Sequence, residues 1–174
     1  MIDTNPDKQT ISTILEQTNT IAIVGLSNKK HRTSYKIGEF LQNNHFTIIP
    51  VNPNIDESLG MKAYDSILEI EEKIDMINIF RRKNEISKLT SETLKMKHLP
   101  KSFWMQEGIH DSNSRNTLVK KGIATIEDLC IKKIYEELTE CNLKMLVDKY
   151  DPDIICFQED TVVFSRFVHP YCDR

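Results

Sequence analysis

Short apolar runs alternate with amphipathic stretches along most of this chain, repeating at roughly 25 residues, the spacing of successive βα units in a parallel sheet. Thr20-Ile-Ala-Ile-Val-Gly25 opens the series. A run this short and this uniformly apolar suits a strand covered on both faces. Phe46-Thr-Ile-Ile-Pro-Val51, Ile74-Asp-Met-Ile-Asn-Ile-Phe80, Ser102-Phe-Trp-Met-Gln106 and Ile123-Ala-Thr-Ile-Glu127 follow as strands two to five.

The intervening stretches carry helical periodicity. Ile11, Ile14 and Leu15 mark a first helix over about Asp7 to Gln17, ahead of the strands. Ile37, Phe40 and Leu41 mark one from about Ser34 to Asn43, with Thr33 or Ser34 able to cap it. Asn52 to Met61 has the composition of a loop, and a short helix is expected over Tyr64 to Glu71. Further helices are expected over about Lys83 to Lys97, stopped by Pro100, over about Ser112 to Lys121, ended by Gly122, and over about Ile131 to Thr139. The expected fold is a Rossmann-like three-layer α/β/α arrangement around a mainly parallel five-stranded sheet, with an N-terminal helix and a C-terminal extension.

At 174 residues the chain suits one core and an appendage, so residues 1–139 read as one domain and 140–174 as an extension. In the extension, a helix over Leu143 to Lys149 and two short strands, Ile154 to Phe157 and Thr161 to Phe164, are expected. A net charge of −3 with both signs mixed gives no general attraction to nucleic acid or an anionic membrane. No leader or membrane-spanning run stands out, and Cys130, Cys141, Cys156 and Cys172 lack CxxC spacing. A cytoplasmic protein with reduced thiols is expected, monomeric or homodimeric. His169 and Cys172 are too few for a metal site, and Asp65, Asp75 and Glu127 read as surface residues rather than catalytic pairs.

Ligands of open parallel sheets settle beyond the carboxyl ends of the strands. After strand one, Gly25-Leu-Ser-Asn-Lys-Lys-His-Arg-Thr-Ser-Tyr35 joins a glycine, hydroxyl and amide side chains and cations, then starts a helix. This is phosphate-binding chemistry: Gly25 would let a backbone N–H approach an oxygen, the helix start would offer more, and Lys30 and Arg32 would complete the charge. A lone glycine is not GxGxxG, and strand two ends in Pro50-Val-Asn-Pro53 without the acid that holds a ribose, so NAD is disfavoured. The prolines make that end rigid, able to present Val51 and Asn52 to a flat heterocycle. Arg81 and Arg82 follow strand three within reach of a phosphate, Gln106-Glu-Gly-Ile109 offers polar groups after strand four, and Trp104 reads as core.

Four segments in this order, Ile23 to Tyr35, Ile49 to Pro53, Ile79 to Arg82 and Trp104 to Ile109, resemble the small CoA-binding-domain proteins of bacteria over about residues 10 to 138. These in turn resemble the N-terminal coenzyme A domain of the succinyl-CoA synthetase alpha subunit. The resemblance implies contacts to coenzyme A from Gly25, Ser27, Asn28 and Lys30 in the first loop, from Asn52, Pro53 and Asn54 in the second, and from Met105, Gln106 and Glu107 in the fourth. Arg32 and Ser34 belong to the small proteins' own motif, and their phosphate role is inferred. In place of the family's Asp-Arg-Cys, this chain has Asp128-Leu-Cys130, which loses the arginine and leaves Cys130 as a buried thiol.

The function expected is binding of coenzyme A or an acyl-CoA by a non-catalytic binding or regulatory module. The alternatives are an enzyme using a nicotinamide nucleotide, a subunit of an acyl-CoA ligase that borrows its catalytic domain, and a scaffold docking a protein partner through its C-terminal tail.

Overall fold

A computed structural model describes residues 5–149. Five strands form one parallel sheet: β1 (Thr20–Val24), β2 (Thr47–Val51), β5 (Met76–Ile79), β6 (Ser102–Met105) and β7 (Ala124–Ile126), in the order β2-β1-β5-β6-β7. Successive side chains in a strand point to opposite faces. Ile21 and Ile23 therefore join Ile48, Met76 and Trp104 on one face, while Ala22 and Val24 join Ile77, Ile79 and Phe103 on the other. Helices cover both faces, as a parallel sheet with apolar residues on both sides requires.

The first face is covered by α1 (Lys8–Glu16), α2 (Thr33–Asn43) and α5 (Ile131–Lys149), through Ile11, Leu15, Ile37, Leu41, Ile131 and Leu138. The second is covered by α3 (Ile86–Thr93) and α4 (Ser112–Val119), with a single 3₁₀ turn at Ile67–Glu69. The Asp7 side chain caps α1 by accepting from the Thr10 N–H at 2.7 Å, and Asp111 caps α4 by accepting from Ser114 N–H at 2.8 Å. Trp104 is fully buried, and its indole N–H donates to the Leu129 carbonyl at 2.7 Å.

Three expectations change. The stretch taken as a loop contains an antiparallel hairpin, β3 (Glu57–Ser58) and β4 (Met61–Lys62), turned by Leu59 and Gly60, both at positive φ. The helix expected over Lys83 to Lys97 is a 3₁₀ turn, Lys83–Glu85, followed by α3, which ends at Thr93. The helix expected to stop near Thr139 runs on to Lys149 and absorbs the one expected over Leu143 to Lys149. Helix α5 therefore crosses the 139/140 boundary drawn from composition. The two expected tail strands and His169 lie outside the described residues.

Asp75 and Glu127 are buried rather than on the surface, because each carboxylate has a built set of partners. Glu127 accepts from the Asp111 N–H at 2.7 Å and lies 3.6 Å from the Arg115 guanidinium. At the amino-terminal edge of the sheet, Asp75 Oδ2 accepts from the N–H groups of Asn19 and Thr20 at 3.0 and 3.2 Å, and Oδ1 faces the Lys101 ammonium at 3.2 Å. Burial pushes the Asp75 carboxyl up, but the two backbone donors and Lys101 outweigh it and hold it below its ordinary value of 3.8.

A carboxyl with a depressed folded pKa contributes stability above its unfolded pKa, and the contribution is lost as pH falls through the folded value. Asp75→Asn is thus expected to destabilise the protein at pH 7 by roughly 1.5–3 kcal/mol, the range for a hydrogen bond to a charged group. In urea titrations the gap to wild type should narrow as the pH drops below 3.8. A gap that stays constant into acid would show that the charge on Asp75 contributes nothing.

Candidate functional site

The strand order reverses between β1 and β5, so the loops leaving their carboxyl ends diverge there and open a crevice. Ladder hydrogen bonding runs to the lip of that crevice: Phe80 N–H donates to the Val24 carbonyl and Gly25 N–H to the Val51 carbonyl, both at 2.8 Å. Gly25 has a structural reason to be a glycine. Its N–H is spent on β2, and its φ of +89° brings it so close to β5 that a Cβ would lie 2.5 Å from the Phe80 carbonyl oxygen. Gly25 holds the two loops together at the bottom of the crevice.

Beyond Gly25 the loop is pinned from several sides. Leu26 is buried as its anchor. Asn52 Nδ2 donates to the Leu26 carbonyl at 2.9 Å, and Asn52 Oδ1 accepts from the Asn54 backbone at 3.1 Å. Ser58 of the hairpin donates to the Ser27 carbonyl at 2.9 Å, and Lys29 N–H donates to Ser27 Oγ at 3.1 Å. Asn52 thus braces the first loop against the second, while Val51, expected at the surface of the site, is packed in the core.

The caps expected from Thr33 or Ser34 do not form. Helix α2 begins at Thr33 with no side-chain cap, and Ser34 Oγ accepts instead from Ser27 N–H at 3.1 Å. An uncapped first turn presents amides with no intrahelical acceptor and the positive end of the helix dipole. These face a cleft of about 520 Å³.

Of the residues singled out in the sequence, Gly25, Ser27, Asn28, Arg32, Ser34, Asn52 and Asn54 line that cleft. So do Lys29, Thr33, Ile55 and Phe80, which were not among the expected ligand contacts. Of the two lysines Lys29 borders it, while Lys30 is an exposed loop residue outside its lining.

Thr33 and Phe80 also border a second groove, of about 460 Å³, which continues the cleft over β5 and β6. Arg81, Gln106 and Glu107 line it together with Arg82, Ile37, Ile109 and Cys130. Gln106 is almost fully buried, and its Nε2 donates at 2.7 Å to Oδ1 of Asn78, a fully buried side chain inside β5. Asn78 went unnoticed in the sequence, although an amide in the middle of a central, doubly covered strand is a costly placement. Glu107 holds Lys133 at 2.8 Å, and this hydrogen bond and charge keep the Lys133 ammonium above its ordinary value.

Met105 and Pro53 are placed elsewhere. Met105 is fully buried in the core cluster on the α3 and α4 face, one residue out of phase with Gln106. Pro53 borders a smaller pocket on that same face, which it shares with Arg81 and Leu89. Arg81 lies between the two faces and pairs with Glu85 at 3.9 Å. Cys130, expected to be buried, is half-buried at the groove. It follows Asp128, whose carboxylate accepts from the Gly108 N–H and whose own N–H donates to Ile109 O at 3.0 Å, which ties the loops after β6 and β7 together.

The uncharacterized protein YneT of Bacillus subtilis strain 168 is 41% identical over 128 residues, covering 74% of this chain and 93% of that protein. An ADP-forming acetate–CoA ligase of Methanocaldococcus jannaschii is 38% identical over 56 residues, 32% of this chain but only 8% of the ligase. Among solved structures, a hypothetical protein from Pyrococcus horikoshii OT3 superposes with a TM-score of 0.72 at 26% identity, over 80% of this chain and 99% of that one. The family model described as CoA binding domain matches residues 19–136, a span from just before β1 into α5 that takes in both loops of the cleft and the whole groove. By that match this chain belongs to the CoA binding domain family.

Proposed function

We propose that this protein binds coenzyme A or an acyl-CoA along the rim formed by the cleft and the groove, as a non-catalytic binding or regulatory module. One observation carries the proposal: the uncapped first turn of α2 opens into a cleft flanked by the cations Lys29 and Arg32 at the point where the strand order reverses. Backbone amides, a helix dipole and two cations converging on one hollow suit phosphoryl oxygens. Family membership and the segment shared with an acetate–CoA ligase support the choice of coenzyme A among phosphorylated ligands. The groove beyond Phe80 adds apolar walls from Ile37 and Ile109 and the amide of Gln106, which suits the arm of coenzyme A better than a second nucleotide. A cytoplasmic site of action, where the coenzyme is held as a free thiol, is part of the proposal.

The test is thermal-shift screening against coenzyme A, acetyl-CoA, NAD, NADP and ATP. A ligand at about a hundred times its dissociation constant stabilises the fold by roughly 2.7 kcal/mol, and coenzyme A or its acyl form should give the largest shift. A larger response to NAD or NADP would favour the nicotinamide alternative. No response to any of the five would overturn the proposal in favour of a scaffold.

A further inference from the structure

We propose that Asn78 is a positioning residue for the ligand's arm: it holds the Gln106 amide so that Oε1 faces the groove and accepts from an amide N–H of coenzyme A. This rests on the binding proposed above and assigns the groove its polar contact. Alternation along β5 puts Asn78 on the face of Met76 and Phe80, the side of the sheet on which the groove opens. Its neighbours across the ladder are Ile23 on β1 and Trp104 on β6, both fully buried. An apolar side chain would pack between them at no polar cost, whereas a buried amide is costly unless it is fully hydrogen-bonded. Asn78 is not. Its Nδ2 is enclosed without a partner, and among the described residues its Oδ1 accepts only from Gln106 Nε2, at 2.7 Å.

That one hydrogen bond orients Gln106. With Nε2 turned inward to Asn78, Oε1 is left over: no described residue donates to it, and unlike Asn78 Nδ2 it is not enclosed. Gln106 lines the groove, so Oε1 is the atom it shows there. Turning the Gln106 amide over would set Oε1 against Asn78 Oδ1, two acceptors face to face. The groove is thereby given an acceptor, flanked by the apolar side chains of Ile37 and Ile109. That combination suits a secondary amide set in a hydrocarbon chain, which is the chemistry of the coenzyme's arm. A nucleotide without the arm leaves the acceptor to water.

Coenzyme A and adenosine 3′,5′-bisphosphate, which has no arm, are titrated calorimetrically into wild type, Asn78→Leu, Asn78→Asp, Gln106→Met and the double variant Asn78→Leu/Gln106→Met. Asn78→Leu should weaken coenzyme A roughly three- to tenfold, the worth of one neutral hydrogen bond, and leave the bisphosphate within about twofold. Asn78→Asp keeps an oxygen for Gln106 Nε2 and should hold coenzyme A within about twofold of wild type. Gln106→Met should match Asn78→Leu. The double variant should bind no more weakly than Gln106→Met alone, because Asn78 acts only through Gln106.

Equal losses for the two ligands would overturn the inference, since a disturbed fold weakens both alike. Losses that multiply in the double variant would overturn it as well. Should Asn78→Leu fail to fold, Asn78→Ala, which removes the acceptor without adding bulk, takes its place under the same outcomes. Wild type that binds coenzyme A no better than Asn78→Leu does sinks the positioning role alone, and wild type that binds neither ligand sinks the binding with it.

Discussion

Gly25→Ala is expected to cost the fold about 3 kcal/mol or more, and Gly60→Ala no more than about 1–2 kcal/mol, although both glycines have positive φ. The conformational penalty is shared, since an alanine Cβ is disfavoured in left-handed backbone wherever it occurs. The surroundings differ. Around Gly60, in the hairpin turn, a Cβ meets nothing within 4 Å, whereas at Gly25 it would lie 2.5 Å from the Phe80 carbonyl oxygen and 3.0 Å from its carbon.

Those atoms are backbone, so the clash cannot be relieved by a rotamer. It must push the β1 loop away from the β5 loop, at the expense of the Phe80 to Val24 and Gly25 to Val51 hydrogen bonds. Urea denaturation followed by the fluorescence of buried Trp104 measures both variants against wild type. Equal losses would show that close approach at Gly25 has no role beyond φ. Because the same contact forms the bottom of the crevice, Gly25→Ala should also weaken coenzyme A more than its stability loss alone explains.

Gly25 illustrates where sequence reasoning reaches and where it stops. A glycine between a buried strand and a helix is visible as a special position, but its reason is Phe80, 55 positions along, brought opposite by the pairing of β1 with β5. The strands were legible because short apolar stretches such as Ile21 to Val24 and Phe103 to Met105, set between polar segments, leave few other options in a chain this polar. Asp75 and Glu127 were misplaced for the converse reason. Their partners, Asn19, Thr20 and Lys101 for one and Asp111 and Arg115 for the other, lie far enough away that no local pattern reveals them.

Other differences are local. The β3–β4 hairpin turns on Leu59-Gly60 instead of Asn-Gly or Asp-Gly, so its signal was missing. Leu59 tolerates the turn because its side chain packs onto α2, where a Cβ on Gly38 would come within 2.9 Å of it. Met105, Gln106 and Glu107 form one stretch of sequence, but strand alternation sends Met105 to the α3 and α4 face and turns Gln106 toward the groove. A motif read as consecutive letters hides that period of two. Asn78 could have been found by asking why a central strand carries an amide at all.

Charge placement in the first loop gives the second large effect, and it separates two cations two positions apart. Arg32 lines the cleft directly before the open turn of α2, while Lys30 is exposed and outside the lining. Arg32→Ala should therefore weaken coenzyme A roughly ten- to hundredfold, since a charge-assisted hydrogen bond contributes about 1.5–3 kcal/mol and 1.4 kcal/mol is a factor of ten. Lys30→Ala should weaken it by no more than about threefold, and that small loss should vanish at high salt, because a solvated charge acts only through a screened field. Arg32→Lys should fall between, keeping the charge but losing the planar fork that grips two oxygens at once. Both cations are exposed, so neither alanine variant should move the denaturation midpoint, which keeps affinity and folding apart. Calorimetry with coenzyme A reads the order directly. Equal losses at the two positions would mean that the loop attracts the anion without holding it, and an unchanged Arg32→Ala would move the phosphates away from the start of α2.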